Sequence, residues 1–379
     1  MVKTYLALWL RVIKAALLSS LRSPRELTWL LPNVLHMPRN YAVWTDFFYT
    51  NQVKLHVSAA SGSSCRTPAE QALNDLGGLS LTYQRSLTSF ATAHYATTVD
   101  VHFGFGVSAE QMHRKTGSHI AQLVTAGYIH DHGFVHMGEA AAKVRARMNK
   151  NGAKFVVCYL DENPDGDKRY STIVHEDAAW NYRFLLERAL EDPSLGLVFK
   201  PKKPAGLWQS LGPVAELLQR AVDSGRCVVY GEGAVTSPTL PAEAAAAADA
   251  AISLMLGGTA GFESRLAGIP SLLLDRDSIN YHPLYSLGRG SVAFQSWDEL
   301  WGALTAYRMY SSAVPGFGDW SSMIDNMDPF RDGRAAERID SYVGWLANGL
   351  KDGLPREQVL ELARQRYVDF WGEDKIVGL

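Results

Sequence analysis

The chain has 379 residues, of which 47% are hydrophobic and 20% charged, so it is long enough for one large or two medium globular domains. This composition excludes a disordered, collagen-like or coiled-coil chain. The 37 Lys and Arg nearly balance the 39 Asp and Glu, which gives no reason to expect a nucleic-acid partner. Three cysteines lie far apart without a CxxC pair, and this favours a reducing, cytoplasmic location.

The first residues combine apolar and basic side chains. No acid occurs before Glu26, and the basic residues that interrupt the apolar ones are Lys3, Arg11, Lys14, Arg22 and Arg25. No apolar run reaches the roughly 18 residues needed to cross a bilayer, and Arg11 and Lys14 break the uncharged stretch of a signal peptide. Residues 1–40 are therefore predicted to form a basic amphipathic helical segment. Two interpretations fit residues 1–30: a peripheral helix on the inner face of the cytoplasmic membrane, or a surface helix docked on the fold.

Residues 41–150 are predicted to form an α/β domain of less regular pattern. Its candidate strands are separated by loops rich in Gly, Ser and Thr, and they are Tyr41–Trp44, Val53–Ser58, Leu79–Thr82 and Val99–Phe103. The polar sequence Asn149–Gly152 has turn chemistry, and the domain boundary is placed there.

From about residue 151 short apolar runs alternate with helical stretches. The predicted strands are Lys154–Leu160, Leu195–Phe199, Arg226–Tyr230, Ala251–Leu256, Ser271–Leu274 and Ser291–Phe294. The predicted helices are Glu176–Leu190, Leu207–Val222, Pro241–Ala248 and Gly261–Ala267. This alternation predicts right-handed βαβ units, so residues 151–330 form a Rossmann-like domain with a parallel sheet. Residues 331–379 are predicted to add C-terminal helices at Ala335–Gly349 and Arg356–Trp371.

The segment Ala248–Asp275 carries the most chemical information. Between two of the strands it holds a glycine-rich loop that opens a helix, with the residues Gly257, Gly258, Thr259, Ala260 and Gly261. Glycines let a backbone approach a ligand closely, and free N–H groups at the start of such a helix suit a phosphate. Glu263 follows one turn later, where its carboxylate could accept bonds from two ribose hydroxyls. The alternative is a tight packing turn in which Glu263 favours the helix N-terminus.

The order of these features resembles the donor-binding half of GT-B glycosyltransferases. In both, an Asp near the end of a strand (here Asp249) is followed by a glycine-rich loop, a helix with an acidic residue, a Gly-x-Pro turn and a buried strand. Further similarities are the basic residues after a strand in Val198–Lys202, the sequence Asp298–Leu300, and the closing Asp328–Gly333, which is similar to glycosyltransferases of bacterial surface-carbohydrate assembly. The resemblance covers about residues 150–340.

The resemblance implies a nucleotide sugar held between two Rossmann-like domains that face each other across a cleft, with no metal and no cofactor. Lys200 and Lys202 would then stabilise the leaving phosphate, although a solvated lysine pair at a strand end is the alternative. His282, in a loop after the last long strand, would contact phosphate or sugar unless it only forms a turn. The acceptor would be a glycan or lipid-linked molecule.

The first half departs from the family pattern because about 110 residues are few for a complete acceptor domain, so that domain is predicted to be reduced. Asp46, Asp100 and His102 are the candidates for the catalytic base. Asp100 and His102 are expected to close one strand on the same face, ahead of Gly104. They could equally cap the strand by bonding to the backbone.

Four acidic or histidine side chains lie in Gly127–Met137, namely His130, Asp131, His132 and His136. A metal site is one interpretation of this cluster, but its spacing matches neither HExxH nor a zinc-finger pair. In the GT-B resemblance this segment ends the first domain, and His130 is expected to bond phosphate or sugar hydroxyls.

The leading hypothesis is a metal-independent glycosyltransferase that moves a sugar from a nucleotide donor in surface-polysaccharide biosynthesis. Two alternatives stay open. One is a sugar-nucleotide epimerase or hydrolase of the same fold, and the other is a non-catalytic nucleotide-sugar-binding subunit.

Overall fold

The computed structural model describes residues 10, 14, 24–58, 66–87, 91–92, 95–166, 173–231, 233–234, 239–256, 258–276 and 281–379. Most of the basic segment 1–23 lies outside these residues. No helix in the described part of the chain is long and apolar enough to span a membrane. The chain divides into two compact units, Met1–Gly127 with Ala336–Leu379, and Tyr128–Ala335.

The described strands, in chain order, are Leu55–Ser58 (β1), Leu79–Tyr83 (β2), Thr98–Gly104 (β3), His119–Thr125 (β4), Phe155–Leu160 (β5), Leu195–Lys200 (β6), Cys227–Val229 (β7), Ala250–Leu254 (β8), Ser271–Leu274 (β9), Ala293–Phe294 (β10) and Ile376–Val377 (β11). The described α-helices are Pro24–Thr50 (α1), Arg66–Asp75 (α2), Val107–Thr116 (α3), Met137–Lys150 (α4), His175–Glu191 (α5), Leu207–Leu211 (α6), Val214–Asp223 (α7), Pro241–Ala245 (α8), Thr259–Leu266 (α9), Trp297–Met309 (α10), Ser321–Met327 (α11), Ala335–Lys351 (α12) and Arg356–Trp371 (α13).

The first unit is built on a sheet whose described strands run in the order β1-β2-β3-β4-β11. β1 to β4 are parallel, and β11 pairs with β4 in the antiparallel sense. One face of this sheet is apolar, with Leu81, Val101 and Phe103 buried against Tyr342 and Leu360 of α12 and α13. The C-terminal helices therefore complete the core of the first unit.

The second unit contains a parallel sheet whose described strands run in the order β10-β9-β8-β5-β6-β7. The strands read as nearly continuous apolar runs because helices cover both faces. α5, α6, α7 and α10 pack on one face, while α4 and α8 pack on the other. The predicted α/β class with two Rossmann-like parallel sheets and C-terminal helices is confirmed.

The predicted strands of the second half are confirmed to within two residues at each end. The predicted helix Leu207–Val222 is wrong as one element, because Gly212 adopts a φ of +53° and Pro213 follows, and this divides it into α6 and α7. In the first half the predicted strand Tyr41–Trp44 is also wrong, since it lies inside α1. The sequence analysis missed β4.

Candidate functional site

The carboxyl ends of the second sheet's parallel strands form one edge of that sheet. In the sheet, β6 and β7 lie on one side of β5, in that order towards one edge. β8, β9 and β10 lie on the other side of β5, in that order towards the opposite edge. The strand order therefore reverses between β5 and β8, which is the place where parallel α/β sheets bind ligands. Asp161 follows β5, Lys200 ends β6, and Gly258 follows β8.

The glycine-rich loop leads from β8 into α9 at this edge. Gly257 lies outside the described residues, and Gly258 precedes the helix with a φ of +46°. Thr259 and Ala260 begin α9, and the residue at its N-cap position is Gly258, which has no side chain to cap the helix. Gly261 faces the sheet: a Cβ there would lie 2.7 Å from the Ser253 Oγ. Close packing of α9 against the sheet thus explains why position 261 is a glycine.

Glu263 is buried, with 3% of its surface exposed, and it is bonded within the second unit. The Tyr128 hydroxyl donates to Oε2 at 2.5 Å, and the Ala242 N–H donates to Oε1 at 3.0 Å. Burial raises the pKa of the Glu263 carboxyl, which these two bonds and Lys200 partly oppose. Both oxygens already accept one bond, so ribose hydroxyls would have to use their remaining lone pairs.

Lys200 is half-buried at the end of β6 and interacts with two carboxyl groups. Burial lowers its pKa, and the charges of Asp161 and Glu263 partly restore it. Lys202 points elsewhere, since its Nζ pairs with the Glu162 Oε2 at 2.8 Å. Of the two predicted lysines, Lys200 is therefore the one whose charge acts on Glu263 of α9.

Asp161 is a further candidate that the sequence analysis did not single out. Its Oδ1 accepts from the Lys202 N–H at 2.5 Å, and its Oδ2 accepts from the Tyr182 hydroxyl at 2.8 Å. Burial raises the pKa of Asp161 to about 7. The signal in the sequence was an acid directly after a buried parallel strand.

Two predicted histidines have contacts within the second unit. The Nδ1 of buried His282 accepts from the Leu284 N–H at 3.1 Å and caps the 3₁₀ turn Pro283–Leu287. Burial lowers the pKa of His282 to about 4. His130 is half-buried with its ring edge-on to Tyr128, and burial lowers its pKa as well. Both rings are thus held neutral near pH 7.

The candidates for the base lie in the first unit. Asp46 is exposed on α1. Asp100 accepts from the Ser80 N–H at 2.7 Å and pairs with Arg356, near the start of β3. His102 lies mid-strand, with its Nε2 3.3 Å from the His113 Nε2. The expectation that Asp100 and His102 close their strand is wrong, because β3 continues to Gly104.

The described residues contain no group of three His, Cys, Asp or Glu side chains placed to hold a metal ion. In the histidine-rich segment Gly127–Met137, Asp131 accepts from the Gly333 N–H at 2.9 Å. The His132 Nδ1 lies 3.0 Å from the Ile129 carbonyl oxygen. These side chains organise the backbone around them.

Several solved structures resemble the chain over most of its length. The S. aureus MnaA–UDP complex has 12% identity and a TM-score of 0.49, and the match covers 83% of this chain and 82% of that one. The Methanocaldococcus jannaschii UDP-GlcNAc 2-epimerase has 11% identity and a TM-score of 0.49, with 81% and 80% covered. Anabaena Alr3699/HepE with UDP-glucose has 10% identity and a TM-score of 0.46, with 79% and 82% covered.

No protein-family model matches the chain, and no curated protein matches it in sequence. At the identities and TM-scores of the solved structures, the likeness supports neither an activity nor the role of any residue.

Proposed function

We propose that the chain is a GT-B-type glycosyltransferase that binds a nucleotide sugar at the carboxyl edge of the second sheet. The observation that carries this proposal is the position of α9, whose first turn follows Gly258 at the point where the strand order reverses. Lys200 supplies a positive charge near the same helix through its interaction with Glu263. Helix N–H groups and a cation together suit a diphosphate.

In this proposal the leaving phosphate is stabilised by the amides of Gly257–Gly261 and by Lys200. Positioned donors of this kind lower the barrier because they face the charge that develops on the leaving group. Lys202 has no direct role in this proposal, since its ammonium pairs with Glu162 and its N–H donates to Asp161. Glu263 holds the α9 segment in place and offers its remaining lone pairs to the ribose.

For an inverting reaction we propose Asp46 as the first candidate for the base. Its side chain is exposed, whereas Asp100 is paired with Arg356 and His102 is buried against His113. An exposed carboxylate can reach an acceptor hydroxyl without first losing an ion pair.

The proposed acceptor is a glycan or a lipid-linked saccharide of surface-polysaccharide biosynthesis, reached from a membrane surface. On α1 the side chains of Val43 and Phe47 are 60% and 50% exposed and lie one turn apart on one face. Leu10 and Lys14, in the basic segment, are exposed too. Apolar side chains beside basic ones favour attachment to an anionic lipid surface.

Thermal unfolding with a panel of nucleotides and nucleotide sugars (UDP, GDP, dTDP and CMP types) tests the donor site. A ligand at about 100 times its Kd stabilises the folded chain by about 2.7 kcal/mol, so one nucleotide should raise the Tm clearly. Lys200→Ala should weaken that nucleotide about tenfold because a charge-assisted bond to phosphate is lost.

Lys154→Ala is the matched control, since Lys154 is exposed and precedes β5 at the opposite end of the sheet. Its nucleotide affinity should equal that of the wild type. No Tm shift with any nucleotide, or an equal loss in both variants, would contradict the donor site.

A sugar-nucleotide epimerase or hydrolase is the second candidate, and one observation favours it. Asp161 and Glu263 both have raised pKa values and both interact with Lys200, so two carboxyl groups suited to acid–base chemistry lie near one cation. Free nucleotide released only when an acceptor is present supports the transferase. Release without an acceptor, or an epimerised donor, supports the second candidate.

A further inference from the structure

A second pocket lies in the second unit, on the face of the sheet covered by α5 and α6. Its volume is about 600 Å³, within the usual range of small-molecule sites. The described residues that line it come from the segments 161–164, 175–182 and 203–211. Since α8 and α9 belong to the other face, this pocket is separate from the glycine-rich loop.

The lining of the pocket is mixed, with somewhat more apolar than polar surface, and it carries little net charge. Lys203 is a cation and Asp161 an acid. The other polar groups that line it, such as Gln209 and Ser210, both donate and accept hydrogen bonds. Pro164, which is half-buried, supplies an apolar surface beside them. Alternating donors and acceptors next to an apolar surface match the hydroxyl groups and the C–H face of a sugar ring better than they match a multiply charged ion.

Asp161 links this pocket to the proposed phosphate site. It lines the pocket, it accepts from the Lys202 N–H, and it interacts with Lys200. Its pKa of about 7 lets the carboxyl act as donor or acceptor towards a hydroxyl near neutral pH. A group bound in the pocket would therefore lie next to the residues that face the phosphates.

We propose that the pocket lined by Asp161, Pro164, Gln209 and Ser210 is a saccharide subsite that binds an uncharged hexosyl unit. This inference rests on the proposed function and deepens it by assigning the sugar to the α5–α6 face of the sheet. Asp161 and Gln209 bond the sugar hydroxyls, and Pro164 packs against the ring. The hexosyl unit belongs either to the donor or to the acceptor, and both have the same chemistry.

Binding of methyl hexosides to the full chain, measured by saturation-transfer NMR, tests the subsite. Gln209→Ala should weaken binding about tenfold, as expected for the loss of a hydrogen bond to a bound hydroxyl. Ala205→Trp should abolish it, because Ala205 is an exposed lining residue and the indole would fill the pocket. Gln219→Ala, a matched change at an exposed position of α7, should leave binding unchanged.

A competition experiment between a methyl hexoside and a nucleotide sugar shows whether the hexosyl unit in the pocket belongs to the donor or to the acceptor. If the donor's sugar occupies the pocket, a nucleotide sugar displaces the methyl hexoside and the free nucleotide does not. If an acceptor sugar occupies it, the methyl hexoside and the nucleotide sugar bind together. Both results support the subsite.

Three results would overturn the subsite. They are the absence of hexoside binding, equal binding by the wild type and the Ala205→Trp variant, and binding of inorganic phosphate that Lys203→Ala abolishes. Nucleotide binding is measured on the same samples. A chain that binds nucleotide but no hexoside disproves the subsite alone, whereas loss of nucleotide binding disproves the proposed function.

Discussion

Buried acceptors in the second unit bond backbone N–H groups that would otherwise lack a partner. Glu263 bonds the Ala242 N–H near the start of α8, and His282 bonds the Leu284 N–H in the following 3₁₀ turn. Asp328 accepts from three N–H groups, of Tyr128, Phe330 and Arg331. Such side chains are required because the first N–H groups of a helix have no partner in the helix itself.

From the sequence alone, a side chain that bonds a backbone N–H group could not be distinguished from one that binds a ligand. His282 and Glu263 were singled out because polar side chains near a glycine-rich loop often bind phosphate or ribose. The same residue types are also the ones that cap helices and turns. Whether a given side chain turns inward depends on backbone segments distant in the chain, such as Ala242 for Glu263.

Because neutral His282 caps the 3₁₀ turn, we expect the free energy of unfolding to decrease at acidic pH. Its pKa is about 4 in the folded chain and 6.5 in the unfolded one, so only the unfolded chain gains a proton between these values. Stability due to this group is complete above pH 6.5 and is lost as the pH falls to 4. The loss is on the order of 3 kcal/mol. His282→Asn keeps a capping acceptor without titrating, so its urea midpoint should fall less between pH 7 and pH 4.

His136→Asn is the control, because His136 is exposed and makes no side-chain cap bond to α4. Its midpoint should follow the wild type at every pH. Parallel pH curves for His282→Asn and the wild type would mean that the buried ring does not resist protonation.

At the scale of elements, the second sheet follows from its apolar runs. Each run is short and, except at the edge strand β7, almost completely buried, as parallel strands covered on both faces require. In the first unit β4 was missed because His119 and Gln122 interrupt its apolar pattern. Gln122 is nevertheless buried, since its Nε2 donates to the Leu360 carbonyl and its Oε1 accepts from Tyr342. Partners more than 200 residues away cannot be read from a local pattern.

The packing of α9 on the sheet predicts the effect of a methyl group at Gly261. A Cβ there would lie 2.7 Å from the Ser253 Oγ and 3.1 Å from the Ser271 Oγ. Gly261→Ala should therefore destabilise the second unit by about 1–3 kcal/mol, even after the helical preference for Ala over Gly is counted. Chemical denaturation of the variant measures this loss.

Two further variants sharpen this prediction. Ser253→Ala removes the nearest atom, a buried hydroxyl with no hydrogen-bond partner among the described residues, and should restore part of the lost stability. Gly302→Ala, at an exposed position of α10 where a Cβ would have nothing within 4 Å, should stabilise the chain by up to about 1 kcal/mol. Equal effects at Gly261 and Gly302 would refute the steric explanation.

At the scale of the whole molecule, the first unit is discontinuous in sequence. Ala336–Leu379 belongs to it together with Met1–Gly127, whereas Tyr128–Ala335 is continuous. The hydroxyl of Tyr367 donates to the Thr125 carbonyl at 2.6 Å, and β11 extends the sheet beside β4. The sequence predicted the terminal helices, but it could not indicate which sheet they cover. An amphipathic pattern shows which face of a helix is buried, not which element it is buried against.

This discontinuity predicts that the two units differ in their response to truncation. A chain ending at residue 335 exposes the face of the first sheet formed by Leu81, Val101 and Phe103, which α12 and α13 cover. Its first unit should fail to fold, since burial of that face is a large part of its stability. A fragment of residues 128–335 keeps both helical layers of the second sheet and should unfold cooperatively.

Circular dichroism during urea unfolding distinguishes the two fragments. Co-expression of residues 336–379 with the truncated chain is the control, because the missing helices and β11 should restore a folded first unit if noncovalent packing is sufficient. Cooperative unfolding of the first unit in the chain that ends at residue 335 would show that the terminal helices are dispensable. The same measurement is then made on the fragment 128–335 in the presence of the nucleotide that stabilises the full chain. Lys200, Glu263 and Tyr128 interact within the second unit. We therefore expect the nucleotide to stabilise this fragment as well.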